Sequence, residues 1–468
     1  MLRKLFAPFG LTLLLFFAFP AAILAQHNQR PQVRGFAFKH VTVIDVARGL
    51  TQADQTVLIV GNRIAALGPA RKVRVPEGAR VIDARGKFLI PGLSDMHVHL
   101  TDMREVAVPL LIANGVTSVR DMGGDLALID GIRRAIERGE LVGPRIVRAG
   151  PFVDGPKPDL QYRLTVTNER EAREAVHTLK RMGVDFIKTH SDISRAAFFA
   201  LADEAKKEGM TFAVHPSANL TIEEITDAGA KSIEHAQSFF DVVVLNPANK
   251  EKNKRQLIEE LYFGPGGAQL YARFVRNGTW VVPTLVVFDT VSRAYEKDET
   301  RDARLKYITP GIKKMWETLF PTPPASAQLV EALKHNFEVY TLRVVGEMNR
   351  AGVGLLAGSD MGVRNVFPGF ALHDELSLLV RAGLTPAQAL QTATLNPARF
   401  LGKSDSLGTA EQGKLADLVL LDANPLEDIH NTTKINAVVV NGRLLPRQEL
   451  DEMLRGVKAA ASKNLSAR

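Results

Sequence analysis

Two histidines spaced two apart, His97 and His99, are the first residues in this chain able to do chemistry together. They close a β-rich run over 88–98, and in a strand residues i and i+2 face the same side, so both imidazoles point one way. Two convergent ring nitrogens are the start of a zinc-type site. Lys188 lies in a strand-like run over 185–190, at a position that reads as buried. A lone buried ammonium loses its proton or finds a partner. One reading of Lys188 is a salt bridge to a neighbouring carboxylate. The other is a neutral amine that adds carbon dioxide, forming an anionic carbamate able to bridge two metal ions. His215 ends the next strand-like run, His235 the one after it, and Asp360 follows Gly358-Ser359 at the end of another. Each alone has a plainer reading, as a core histidine or as a cap or turn residue. Together, all six fall at the same end of their strands, the face where a parallel barrel gathers its catalytic groups.

Two further residues face the same region. Arg120 ends the second strand-like run and reads either as a ligand for a substrate carboxylate or as an ion pair with a nearby acid such as Asp121. His190 shares strand parity with Lys188, so it faces the mouth, to touch substrate or to make a structural hydrogen bond. His373 sits in a helical stretch beside Asp374 and Glu375 and reads as structural. His27, His177, His335 and His430 read as surface residues.

The elements that must position these groups alternate. Candidate strands cover 88–98, 116–121, 145–149, 185–190, 211–215, 232–235, 280–285 and 354–359, which is the number a closed parallel barrel needs. Helical signals fall between them. Residues 170–182 carry an apolar stripe of Ala172, Ala175, Val176 and Leu179 that stops at Gly183. Ser194 caps a helix running through Ala205, and Thr221 with Glu224 and Thr385 with Gln388 make capping boxes, Pro386 taking the first helical position. Short alternating runs at both ends, 40–46, 56–67 and 81–89 at one and 416–422 with 435–445 at the other, read as strands of one discontinuous domain. The expected fold is α/β: a (β/α)8 TIM barrel over 88–405 carrying a small β-sandwich built from 36–87 and 406–448. The connections 237–279 and 286–353 are longer than a barrel requires and read as lids, with a bend at Pro321–Pro324.

Composition narrows the function classes. The chain has 468 residues, 46% hydrophobic and 24% charged, as an ordinary globular protein does. It contains no cysteine, so disulfides, thiolate ligands and a catalytic thiol are excluded and any metal rests on histidine and oxygen donors. Its formal charge of +8 comes from scattered Lys and Arg without a basic stripe, which argues against nucleic-acid binding and suggests a mild preference for anionic substrates. Arg3 and Lys4 before an apolar run over 5–24, with Ala25 at its end, read as a signal peptide over 1–25. Its removal would leave an exported, periplasmic or secreted protein without stable membrane association; the alternative is a retained anchor. A homo-oligomer is compatible with the sequence.

The segments Pro91-Gly92-Leu93-Ser94-Asp95-Met96-His97-Val98-His99, Phe186-Ile187-Lys188, His215, Glu234-His235 and Gly358-Ser359-Asp360 resemble the amidohydrolase superfamily in order and context. Residues 115–124, 382–386 and 413–418 further resemble its imidazolonepropionase-like and Xaa-Pro or Xaa-Arg dipeptidase branch. The likeness runs from about residue 38 to 445.

This resemblance implies two divalent ions, Zn²⁺ first with Mn²⁺ or Co²⁺ acceptable. His97 and His99 would hold the more buried ion, His215 and His235 the more exposed one, and a carbon-dioxide-derived carbamate on Lys188 would bridge them. Asp360 would ligate the buried ion and act as general base towards a bridging hydroxide. The expected reaction is hydrolysis of an amide or peptide bond beside a free carboxylate, as in a dipeptide or N-acyl amino acid. Hydrolysis of a cyclic amide, lactone or phosphotriester would use the same site. A mononuclear deaminase is disfavoured by Lys188 and by Pro216-Ser217-Ala218-Asn219 after His215, where such enzymes place a glutamate. A binding protein on a retired enzyme scaffold would lack a ligand, and none is lacking.

Overall fold

Residues 88–98 hold two strands, not one, and Gly92 is where they part. Phe88–Pro91 pairs antiparallel with Leu418–Leu421 and parallel with Gly35–Asp45, whereas Leu93–Val98 pairs parallel with Val116–Asp121. At the join Gly92 N donates to Asp417 O at 2.7 Å, and a Cβ at this position would stand 2.1 Å from Thr117 Oγ1. The single strand expected over 88–98, and with it a barrel starting at 88, is therefore corrected. Both halves are buried, so the apolar run stays unbroken while the chain changes sheets. The computed structural model describes residues 35–156, 161–293, 301–321 and 326–466. The signal segment read at 1–25 and most of the bend at Pro321–Pro324 lie outside them.

The two ends of the chain meet in one sheet. Eight strands share it: Gly35–Asp45, Leu50–Val60, Arg63–Pro69, Arg80–Asp83, Phe88–Pro91, Leu418–Leu421, Ile435–Val440 and Arg443–Pro446. Where a sandwich of two sheets was expected, a single hydrogen-bonded sheet curls over. Its far strand, Arg63–Pro69, reaches the segment ahead of Leu418–Leu421 through Ile64 N to Lys414 O and Ala416 N to Asn62 O, both 2.9 Å. Phe38, Ile59, Ile64, Leu418 and Val439 form the apolar cluster inside.

The remaining strands run parallel in two sets. Leu93–Val98, Val116–Asp121 and Arg145–Arg148 form one. Phe152–Asp154, Ile187–Thr189, Phe212–Val214, Ser232–Glu234 and Trp280–Val282 form the other, with Arg163–Thr165 at its edge. Backbone hydrogen bonds link the sets at both sides. Asp185 N donates to Arg148 O at 2.9 Å. On the other side the 354–361 segment receives Val281 N at Gly354 O and Met96 N at Ala357 O, and returns Asp360 N to His97 O. The strand expected at 354–359 survives only as isolated bridges from Leu355 and Met361. Its glycines explain the interruption, since a Cβ on Gly358 would lie 2.8 Å from His97 Cβ and one on Gly354 2.4 Å from the Trp280 ring. These strands are short and almost wholly buried, as parallel strands covered on both faces must be.

Helices follow the strands where the caps predict them. Asn168 caps Glu169–Arg181, Ser194 caps Arg195–Lys207, and both capping boxes are made, at Thr221 and at Thr385. The described parts of the two long connections fold largely as helices. Tyr262 and Tyr271 hydroxyls tie the first together through Phe239 O and Tyr262 O. In the second, Trp316 Nε1 donates to Gly362 O at 2.8 Å, fastening it beside Asp360. No helix among the described residues is long and apolar enough to cross a membrane.

Replacing Gly92 with alanine should cost about 1–3 kcal/mol, the usual penalty for an atom forced into a filled space. Urea denaturation of Gly92→Ala and of Gly92→Ala/Thr117→Ala checks it. The second change should recover part of the loss, and equal stability of wild type and Gly92→Ala would refute the close approach.

Candidate metal centre

Six side chains converge where the parallel strands end. His97 Nδ1 donates to Glu234 Oε2 at 2.9 Å, and its Nε2 lies 3.3 Å from Asp360 Oδ1. His99 Nδ1 faces Gly123 O at 3.2 Å, and its Nε2 lies 3.2 Å from that same Asp360 oxygen. His235 Nδ1 is 2.9 Å from Thr284 Oγ1 and 3.7 Å from Asp360 Oδ2. Ligand atoms of His97, His235 and Asp360 all fall within 4.8 Å of one another. His215 stacks into the same cluster, 4.6 Å from His235 and 4.5 Å from His190 between ring centroids. Lys188 is 2% exposed, and its Nζ has no hydrogen-bond partner. The structure thus brings His97, His99, His235 and Asp360 within reach of one another, with His215 stacked on His235 and Lys188 buried close to Asp360.

The backbone is bent to deliver them. His235, Thr284 and Asp360 have φ of 65°, 47° and 57°, in the left-handed region that side chains avoid. Such residues cost of order 1–3 kcal/mol each and persist where surrounding bonds over-determine them. Here Asp360 N donates to His97 O at 2.8 Å and His235 N to Val282 O at 2.8 Å. Two buried carboxylates brace the same turns. Asp95 accepts from Ser359 N, Ser359 Oγ and His97 N, and Asp121 accepts from Leu100 N and Gly123 N. Burial outweighs those bonds and pushes Asp95 up to about 7 and Asp121 up to about 6.

The electrostatics separate the groups. Burial, opposed by Glu234 and Asp360, brings Lys188 down to about 8. At neutral pH its amine is then uncharged in about one molecule in ten, against fewer than about one in a thousand for an ordinary lysine. Burial holds His97 and His235 well below the usual histidine value. His99 behaves oppositely: burial works against its charge, but the hydrogen bond and charge of Asp360 lift it to about 9. Burial would raise Asp360, yet His97, His99 and Lys188 hold it at about 2. A carboxylate is therefore ionised beside a lysine with an accessible neutral form.

Arg120 does not face the mouth as a substrate ligand, which corrects that expectation. Its guanidinium is 1% exposed and fully engaged, with Nη2 on both oxygens of Glu234 at 2.9 Å, Nη1 on Ser232 Oγ and Nε on Met96 O. Its acid is Glu234, not Asp121. Glu234 itself went unrecognised as a functional residue, although it stands beside His235 in the sequence. Its carboxylate only accepts, so the proton of His97 sits on Nδ1 and the Nε2 lone pair faces Asp360. His190 stands at the cluster's edge, stacked on His215 and 3.6 Å from Asp154 Oδ2. His373 is structural, bonded to Thr432 Oγ1 and Asn114 O.

Comparison with known proteins shows the family. The amidohydrolase family profile matches residues 88–246 and 330–445. An imidazolonepropionase from Symbiobacterium thermophilum is 23% identical over 381 residues, which cover 77% of this chain and 81% of the relative. Among solved structures, the bottromycin amidohydrolase superposes with a TM-score of 0.71 at 25% identity, covering 92% of this chain and 91% of that one. A Xaa-Pro dipeptidase superposes with a TM-score of 0.67 at 22% identity, over 88% of this chain and all of that one, a likeness of fold. With matching segments over more than half its length and the histidine, lysine and aspartate set within them, this chain belongs to the amidohydrolase family.

Proposed function

We propose that this chain is a two-metal hydrolase cleaving an amide or peptide bond beside a free carboxylate, at the mouth of a (β/α)8 barrel. The observation that carries the reading is the buried Lys188 Nζ, without a hydrogen bond, close enough to His97, His235 and the ionised Asp360 to bear on the charge of each. An isolated ammonium there is costly; a carbamate is an anion with two oxygens, suited to lie between cations. The donor set also fits. Nitrogen and oxygen ligands without sulfur suit zinc and its neighbours. His97, His99 and Asp360 would hold one ion, His215 and His235 the other, with the carboxylated Lys188 between them.

Bound divalent ions supply Lewis acidity towards the scissile carbonyl and lower the pKa of water. The chain's own groups do the rest. Asp360, ionised throughout the neutral range, accepts the proton of the attacking water and returns it to the leaving nitrogen. Glu234, fixed by Arg120, keeps the His97 Nε2 lone pair facing inward. His190, stacked on His215 and partly exposed, would touch substrate. A second reading, cyclic-amide hydrolysis, is favoured by the imidazolonepropionase likeness and uses the same groups.

Incubation of the zinc-loaded protein with pooled dipeptides, N-acyl amino acids and cyclic amides, read by mass spectrometry, tests both readings. Release of a carboxy-terminal amino acid, absent with Asp360→Asn, is the expected result. Ring opening alone would move the assignment to the second reading, and no turnover of any pool by metal-loaded protein would defeat both. Lys188→Gln should lower metal stoichiometry by elemental analysis, and reconstitution of metal-free wild type should depend on bicarbonate; full loading of Lys188→Gln would exclude the carbamate. Glu234→Gln should weaken metal binding roughly 10–100-fold in chelator competition, the usual effect of losing a partner behind a ligand histidine. Unchanged affinity would show that Glu234 is structural only.

A further inference from the structure

A cavity of about 610 Å³ lies at the opposite end of the same strands from the histidines. Its walls come from the starts and middles of the strands and from what precedes them: Ser118, Val147, Phe186, Ala213 and Lys231 among others. The segment from Phe400 to Leu415 closes it from below. His215 and His235 stand past the far ends of Phe212–Val214 and Ser232–Glu234. The cavity and the histidine cluster thus occupy opposite ends of these short strands, Ala213 lying two residues before His215 and Met96 directly before His97.

Two properties of this cavity point to a ligand. Its lining is mainly hydrocarbon, with Val147, Phe186 and Ala213 belonging to one apolar cluster. Protein interiors are close-packed, and apolar space of this size is unfavourable unless something occupies it. The volume is also in the range that holds small ligands, about 300–1,000 Å³. The second property is charge. Lys231 is half-buried, its Nζ 5.4 Å from the Phe400 ring centroid, and it has no ion pair among the described residues. Lys403, on the closing segment, has none either. Of the acids nearest it, Asp185 pairs with Arg148 and Arg133, Asp417 with Arg145, and Glu234 with Arg120, while Asp405, exposed on the closing segment, offsets only one of the two lysines. The rim thus carries uncompensated positive charge above an apolar pocket.

We propose that this cavity is a second ligand site, separate from the metal centre, for an amphiphilic anion with an apolar body and a carboxylate head. The body lies against Val147, Phe186 and Ala213, and the head pairs with Lys231 at the rim. Arg120 forms part of the wall, with its guanidinium between the rings of Phe186 and Phe400 at 5.4 and 5.1 Å. Because Arg120 also holds Glu234, which holds His97, the site abuts the innermost support of the metal centre.

Calorimetric titration of the metal-loaded full chain with decanoate, and separately with decan-1-ol, tests this. Decanoate should bind saturably, one per chain, and equally to wild type and Asp360→Asn. Lys231→Glu, at a half-buried rim position, should weaken decanoate roughly tenfold or more, the scale of a lost charge-assisted contact, while leaving weak decanol binding and the melting temperature unchanged. Val147→Trp, which fills the cavity, should remove binding of both. The proposal is overturned if no saturable binding occurs, if decanol binds as tightly as decanoate, or if Lys231→Glu binds decanoate as wild type does. Loss of binding in Asp360→Asn would place the ligand at the mouth and overturn it equally.

Discussion

Glu234 has no exposed surface, yet it is an ion, and the structure around the metal centre follows from that. A buried carboxylate persists only when its lone pairs are met, and here Arg120, Ser232 and His97 meet them. Removing one member of such a set costs about 3–5 kcal/mol, because the remaining charge stays buried and unpaired. The pair also crosses the interior. Arg120 belongs to one set of parallel strands and Glu234 to the other, so a single ion pair fixes their separation. It fixes a tautomer as well, since a carboxylate cannot donate to His97.

The mouth is built on that support by turning the chain abruptly. Strands of three residues end in His215, His235 and Thr284, and the last segment turns at Asp360. The left-handed backbone at three of these positions would relax if its hydrogen bonds were lost. Asp95 prevents this by binding Ser359 through backbone and side chain, while Asp121 binds Leu100 and Gly123 in the neighbouring turn. Carboxylates held by backbone N–H groups in this way are rigid, and rigidity is what ligand residues need from their surroundings.

What could be read from the sequence was what depends on near neighbours. Ser194, Thr221 and Thr385 cap helices through contacts three residues away, so residue type and spacing were sufficient. The histidine candidates were legible because each stands at or just past a strand end, whereas Lys188 is the middle residue of Ile187–Thr189 and was legible as a lysine inside an apolar run. Gly92 was not, because the reason for it is Thr117, 25 positions on, and burial on both sides masks the change of sheet. The partner of Arg120 was misjudged for a simpler reason. Consecutive strand residues face opposite sides, so Asp121 could never have met the Arg120 side chain, and parity alone excluded it. Parity also put Ser232 and Glu234 on one face, but the contact spans 114 positions, and no local pattern announces it.

Charge balance finally makes Lys188 the residue on which the site's chemistry turns. Arg120 and Glu234 cancel one another, and burial keeps His97 and His235 neutral. What remains is Asp360 facing Lys188 and His99. With Lys188 as an ammonium, the cluster already holds enough positive charge for Asp360, and any further cation is repelled. With Lys188 as a carbamate, its charge reverses. Asp360 and Lys188 would then be two anions in a low-dielectric pocket beside the neutral imidazoles of His97 and His235, with only His99 as a counter-charge, an arrangement that favours divalent cations. Burial drives the first step by bringing the amine into reach of neutrality, and the same burial makes the resulting anion need a metal. On the proposed reading, the position of one lysine would couple its own modification to metal binding.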